Sequence, residues 1–246
     1  MNLILFEREE IGADGEVRMS GGRAKHVREV LGARPGEHIR VGVVNGPKGT
    51  ACVERSDPGD VRIHCEFTEP APEIPLLDLL LALPRPKVMR RLWAQLAAIG
   101  VGRIIITKAW KVERNYFDTH VLDPATYRPL LIEGLEQAQD TRLPEVSIHR
   151  QFKVLVEDKL DGHFPEGVRL MADPAAAGSV RAVLSSRRGQ RVLLAVGPEG
   201  GWIDYEKELL GRHGFIPVSM GPRTLRTDTA CIAMLALGNE ALRRST

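Results

Sequence analysis

The chain has 246 residues, 43% hydrophobic and 27% charged, with 24 Gly and 16 Pro, a composition that excludes disorder, collagen-like repeats and low-complexity structure. Its formal net charge of +2 hides an asymmetry, because residues 1–75 sum to −3 and residues 76–246 to +5. Cys52, Cys65 and Cys231 are the three cysteines; with no C-x-x-C spacing they argue against a disulfide framework and a structural zinc site and fit a reducing cytoplasm.

At the amino terminus, Leu3-Ile4-Leu5-Phe6 is too short for a signal-peptide core, and the longest apolar stretch, Leu76 to Leu83, contains Asp78. A protein that is neither secreted nor membrane-spanning is expected. A helix is predicted over 22–31, since His26, Val27, Val30 and Leu31 recur at helical spacing before Gly32. His26 there suits packing or an RNA-facing position better than a catalytic base. Ile39 to Val44, the turn dipeptide Asn45-Gly46, Thr50 to Glu54 and Val61 to Phe67 read as strands of a small β domain. Thr68 to Pro75 carries three prolines in six residues, which disfavours helix and central strand alike, so the domain boundary is placed at 72/73.

Beyond it the rhythm becomes strand, helix, strand. Leu76 to Leu83 is a strand candidate, Pro86 suits a first helical position, and Val88, Leu92, Leu96 and Ile99 mark one helix face up to Gly100. Trp93 on this helix reads as core or interface. Arg103 to Trp110 gives the next strand, and Asp123-Pro124 opens a helix striped by Tyr127, Leu130, Leu131, Leu135 and Ala138. Further strands are predicted at 146–149, 168–172, 191–197 and 215–220, with helices at 151–160, 175–186, 204–212 and 227–244. This alternation points to a largely parallel sheet covered by helices, with ligands at the loops beyond the strand carboxyl ends.

Between 85 and 114, Arg85, Lys87, Arg90, Arg91, Arg103, Lys108, Lys111 and Arg114 face only Glu113, a local excess of seven positive charges. Such a run is either a polyanion footprint or a solvated helix face.

Two strand-to-helix loops stand out. Leu194-Ala195-Val196-Gly197-Pro198-Glu199-Gly200-Gly201-Trp202 precedes Asp204, a helix-cap candidate, and its three glycines leave main-chain groups open to a flat ligand. Glu199 suits a proton acceptor or polar anchor, yet a carboxylate near a helix amino terminus is also favourable structurally; Trp202 is placed to cover the loop. Neither a dinucleotide fingerprint nor a phosphate loop is present. The second loop, Met220-Gly221-Pro222-Arg223-Thr224-Leu225-Arg226-Thr227-Asp228-Thr229-Ala230, enters a helix that Thr227 or Asp228 could cap. Arg223 and Arg226 there serve solubility, an ion pair, or the grip on an anionic group. Cys231 reads as a small apolar core residue, and no His/Cys/carboxylate cluster suggests a metal.

Together the segments 196–201 and 220–230 closely resemble the two signature blocks of the RsmE family, SPOUT-class methyltransferases acting on uracil N3 of small-subunit (16S) ribosomal RNA. His26 to Leu31 with Pro35-Gly36-Glu37, and Glu133 to Pro144, extend the resemblance, although Gln139-Asp140 stands where the family usually has Gly-Arg. Ala97-Ala98-Ile99-Gly100 likewise replaces its Thr-Glu-Leu-Gly.

The resemblance implies a trefoil-knotted α/β methyltransferase domain over 73–246, preceded by a PUA-like RNA-binding β-barrel over 1–72. It also implies a homodimer, a cytoplasmic location and S-adenosylmethionine as cofactor. Leu194, Val196, Gly197, Pro198, Glu199, Gly200, Gly201, Met220, Gly221, Thr224, Leu225, Arg226 and Thr227 would then hold the cofactor, with Arg226 and Glu199 catalytic. Arg85, Lys87, Arg90, Arg91, Lys108, Lys111, Arg114 and Arg142 would contact ribosomal RNA or the small subunit. Another structured RNA as target, or a non-catalytic RNA-binding assembly factor, are the alternatives.

Overall fold

Strands with one face buried need apolar side chains at every second position, and the first 73 residues supply them. In the computed structural model, which describes residues 3–187 and 189–243, strands β1 (Ile4–Phe6), β2 (Glu16–Met19), β3 (His38–Val43), β4 (Lys48–Asp57) and β5 (Asp60–Glu69) form one sheet in the order β1-β3-β4-β5-β2. β1 runs parallel to β3 and the remaining pairs are antiparallel. Asn45, at φ 57°, and Gly46 turn β3 into β4 as that dipeptide predicts. Phe6, Val17, Val27, Val41, Val53 and Ile63 fill the core of this unit. The predicted helix over 22–31 is instead a short helix α1 (Gly21–Lys25) running into a wider π-type turn over His26–Val30. β1 and β2 are too short to stand out in the sequence.

This unit comprises residues 1–73 together with Leu135–Leu143, a return that the division at 72/73 does not contain. Backbone groups explain it: Glu136 accepts from the β1 edge N–H of Leu5 at 3.0 Å, and Asn45 N–H donates to Thr141 O at 2.7 Å. The Thr141 hydroxyl donates to Gly46 O at 2.7 Å, and the Arg142 guanidinium donates to the carbonyls of Pro72 and Asn45.

The second unit, Ile74–Gly134 with 144 onward, alternates strand and helix. Its elements are β6 (Leu77–Ala82), α2 (Pro86–Ile99), β7 (Arg103–Thr107), α3 (Pro124–Ala138, whose last turn from Leu135 belongs to the first unit), β8 (Glu145–His149), α4 (Phe152–Val154), α5 (Leu160–His163), β9 (Val168–Ala172), α6 (Val180–Leu184), β10 (Val192–Val196), α7 (Asp204–Arg212), β11 (Phe215–Val218) and α8 (Thr227–Leu242). Six strands pair in the order β11-β9-β10-β6-β7-β8, and every pairing is parallel. All the strand carboxyl ends therefore lie at one edge. Central strands β6 and β10 are buried at every residue, as a parallel sheet covered on both faces requires.

Asp78 is the polar exception. Fully buried on β6, it takes two hydrogen bonds from Arg191 at 2.6 and 2.7 Å, just before β10. Burial pushes its carboxyl above the ordinary range even against that guanidinium. Gly102 leaves the room, since a Cβ there would stand 2.9 Å from both Asp78 Oδ1 and Arg191 Nη2.

Several element boundaries differ from expectation. α2 starts at Pro86 and stops at Gly100 (φ 83°) as predicted, but Met89 and Trp93 join Leu92 and Leu96 in the core, while Val88 and Ile99 are only half-buried. The strand over 103–110 ends at Thr107, the helix over 175–186 shrinks to 180–184, and the helix over 151–160 is split by a π-type turn at Leu155–Lys159. Residue 244, the expected end of the last helix, lies outside the described residues.

Candidate functional site

Three strands of the second unit deliver their loops to one cavity of about 260 Å³. The first loop leaves β10 at Val196. At Gly197 a Cβ would press on the Trp202 ring and backbone N at 3.2 Å, and Gly201, at φ 68°, closes a turn by donating to Pro198 O at 2.8 Å. Trp202 is 5% exposed, packs against Phe152 with centroids 5.4 Å apart and lines the cavity. Its indole N–H is buried without a hydrogen-bond partner. A buried donor left unpaired costs free energy that an incoming acceptor recovers.

Helix α7 follows, and here the cap differs from expectation. Asp204 is its first residue, while Glu206, almost fully buried, accepts from Ile203 N–H at 3.0 Å. The other oxygen of Glu206 accepts from Trp110 N–H at 2.7 Å. Lys111 then donates to Gly200 O at 2.6 Å. The segment after β7 and the glycine loop are thus held together at two adjacent residues.

The second loop leaves β11 at Val218. Ser219 Oγ accepts from Gly221 N–H at 3.0 Å, and Gly221 adopts φ 121°, a conformation that disfavours a side chain. Residues 221–226 are exposed, and α8 begins at Thr227 with Arg226 as its N-cap; neither Thr227 nor Asp228 performs the expected capping. A third contribution comes from the end of β9, where Asp173 pairs with Lys207 at 2.9 Å. Burial acts to raise the Asp173 carboxyl, but the Lys207 ammonium and the Ala175 N–H hold it below its ordinary value.

Of the residues singled out in the sequence, Val196, Gly197, Pro198, Glu199, Gly200, Gly201, Met220, Gly221, Thr224, Leu225 and Thr227 line this cavity. Leu194 does not; it is buried in mid-strand opposite Leu79 and Leu170. Arg226 lines a neighbouring pocket of about 320 Å³ with Arg85, Val88, Arg91, Glu199, Thr227 and Asp228. Glu199 and Thr227 belong to both, so they form the partition between them. Glu199 Oε1 accepts from Arg85 N–H at 3.1 Å, and Arg91 pairs with Asp228 at 3.3 Å.

Lys87 and Arg90 lie on the exposed face of α2, Arg114 is exposed, and Lys108 is half-buried with its N–H on His149 O at 3.3 Å. Arg142 sits in the first unit with its guanidinium on backbone carbonyls. Asp173, Lys207 and Glu206 escape sequence reasoning, although Asp173-Pro174 directly after an apolar strand is a readable loop signal. Among the described residues there is no group of three or more His, Cys, Asp or Glu able to hold a metal ion, and no helix long and apolar enough to cross a membrane.

The model of the RNA methyltransferase domain family matches residues 72–239, which hold both loops and both pockets. The chain belongs to this family. Its sequence is 29% identical to the ribosomal RNA small subunit methyltransferase E of Treponema pallidum, over 96% of this chain and 90% of that protein. The protein of the same name and number 1 in Borreliella burgdorferi is 24% identical, over 95% of each. The resemblance to the RsmE family, read from the two loops and from segments 26–37 and 133–144, extends along nearly the whole chain. Among solved structures, a Legionella pneumophila protein assigned as a methyltransferase and determined with bound SAM superposes with a TM-score of 0.78 at 26% identity, covering 98% of this chain and 97% of that one. The SAM-bound small subunit methyltransferase E of Neisseria gonorrhoeae shares the fold, with a TM-score of 0.74 at 22% identity over 94% of each chain.

Proposed function

We propose that this protein uses S-adenosylmethionine to methylate N3 of a uridine in small-subunit (16S) ribosomal RNA. The observation carrying this reading is the pairing of pockets. One, built from two glycine loops, holds an unpartnered indole N–H; the other is lined by three arginines, and Glu199 and Thr227 divide them. The first fits a nucleoside-bearing cofactor: Gly197, Gly200, Gly201 and Gly221 keep the main chain bare, Met220 and Leu225 offer apolar walls, and Trp202 offers a free donor. Its volume is close to the lower end of small-molecule sites (about 300–1,000 Å³).

When bound, S-adenosylmethionine supplies a methyl group on a sulfonium and is already activated. The protein's own residues then position the acceptor and handle its charge. A uracil imide must lose its N3 proton, and the negative charge that follows spreads onto the flanking carbonyl oxygens. Arg226, in the second pocket, stabilises that charge. Glu199, on the partition, accepts the proton or orients the base. Arg85 and Arg91 in the same pocket, with Lys87 and Arg90 on α2 and Lys108 and Arg114 after β7, supply the charge for the phosphate backbone.

The same reading makes residues 1–72 a PUA-like RNA-binding β-barrel and 73–246 a trefoil-knotted SPOUT domain. The protein would act as a homodimer in the cytoplasm. Nucleoside mass spectrometry of small-subunit RNA from a strain lacking the gene tests it. Loss of N3-methyluridine is expected, and its retention would move the target to another structured RNA. Absence of S-adenosylmethionine binding at millimolar concentration would leave a non-catalytic assembly factor.

A further inference from the structure

Of the three tryptophans, Trp93 is 0% and Trp202 5% exposed, whereas Trp110 is 79% exposed. An indole left in water forfeits a large hydrophobic gain, which makes a firmly anchored exposed ring a candidate contact surface. This ring is not on a loosely held loop. The Trp110 N–H is bonded to buried Glu206 at 2.7 Å, and Lys111 is bonded to Gly200 O at 2.6 Å. Tyr205, the chain neighbour of Glu206, is 46% exposed. One buried carboxylate thus anchors the main chain of Trp110 and follows Tyr205 in α7, and it also caps the helix after the glycine loop.

We propose that Trp110 and Tyr205 form a stacking platform for unpaired RNA bases flanking the nucleotide to be modified. The inference rests on the function proposed above and adds a recognition element to it. The chemistry of the partner follows from the setting: exposed aromatic rings, one of them on a segment that also carries Lys108 and the exposed Arg114, match a ligand with both flat rings and phosphates. Single-stranded RNA presents both, while a duplex hides its base faces in the stack. Since every base has a π-face, the platform selects for unpaired structure rather than for one sequence.

Trp110 is the natural reporter, because the other two indoles are shielded. With the full-length protein, oligouridylate is expected to quench tryptophan fluorescence, and a duplex RNA of equal length is not. Trp110→Ala should abolish the quench and weaken oligouridylate binding about five- to tenfold, in line with a single base stack. Trp110→Phe should restore most of the affinity, and Tyr205→Phe should behave as wild type where Tyr205→Ala does not. The loss in Trp110→Ala should persist at high salt, unlike losses at Lys or Arg. In turnover assays KM for RNA should rise while calorimetric affinity for S-adenosylmethionine stays unchanged. Wild-type binding by both alanine variants overturns the platform, as does a change in sedimenting mass of Trp110→Ala, which would mean the ring packs against a second copy. Failure of the wild-type protein to bind S-adenosylmethionine, with the quench intact, would instead remove the methyltransferase reading.

Discussion

Lys111 offers the sharpest test of how the glycine loop is held, because the sequence assigns it to RNA while the structure bonds it to Gly200. Lys111→Met retains the aliphatic stem, which lies where a Gly200 side chain would be: a Cβ there would come within 2.7 Å of Lys111 Cδ. Only the ammonium is lost. A hydrogen bond from a charged donor contributes about 1.5–3 kcal/mol when shielded, but Lys111 is exposed, and solvent screening reduces that to about 0.5–1 kcal/mol. The Gly200 carbonyl then turns to water and the loop loosens. The affinity for S-adenosylmethionine should fall about two- to fivefold, as measured by calorimetry, with the slope of RNA affinity against salt unchanged. If cofactor affinity stays at the wild-type value and that slope drops by about one, Lys111 is a phosphate contact and the clasp carries no weight.

Gln139, at φ 58°, occupies the position after α3 where the helix is closed by Asp140 N–H on Leu135 O at 3.1 Å. The left-handed conformation costs an L-residue about 1–2 kcal/mol and glycine's extra chain entropy returns part of it, so Gln139→Gly should stabilise by about 0.5–1 kcal/mol; a lower urea midpoint would contradict this. Asp173 is held below its ordinary value by Lys207 and Ala175, so it contributes stability above its unfolded value that is lost as pH falls through the folded one. Urea midpoints between pH 7 and 3 should therefore decline less steeply in Asp173→Asn, and parallel curves would count against the pairing. Burial pushes the Cys65 thiol up to about 11 and also raises Cys231, whereas Cys52 is half-buried. A thiol reagent at pH 8 should therefore modify about one cysteine in the native protein and all three in urea; fast labelling of a second without urea would show that the core opens.

Much of the site was legible because glycine is informative where backbone must approach a ligand: Gly197, Gly200, Gly201 and Gly221 announce their loops by residue type alone. The parallel sheet was legible for a similar reason, since buried runs such as 192–196 alternate with amphipathic segments. What escaped depends on distant partners. Glu206 looks like any helical glutamate until Trp110, 96 residues away, places its N–H on the carboxylate. Trp110 itself prolongs the apolar run after Arg103, and no periodicity separates a strand end from an exposed ring. Arg142 is assigned to RNA only through the family resemblance, yet its donors are drawn to carbonyls that only the folded first unit brings near. Leu194 shows the opposite error: membership of a motif's strand does not place a side chain in the cavity.

The pair formed by Asp78 and Arg191 lies at the strand ends remote from the loops that line the cavity. Shifting one strand past its neighbour would strand a carboxylate in the interior, so register is fixed from that side. The opposite rim, where Asp173 pairs with Lys207, therefore does not have to fix the register by itself. Substitutions at the remote end should therefore damage folding before they touch the cavity, whereas changes at the rim act on the cavity directly.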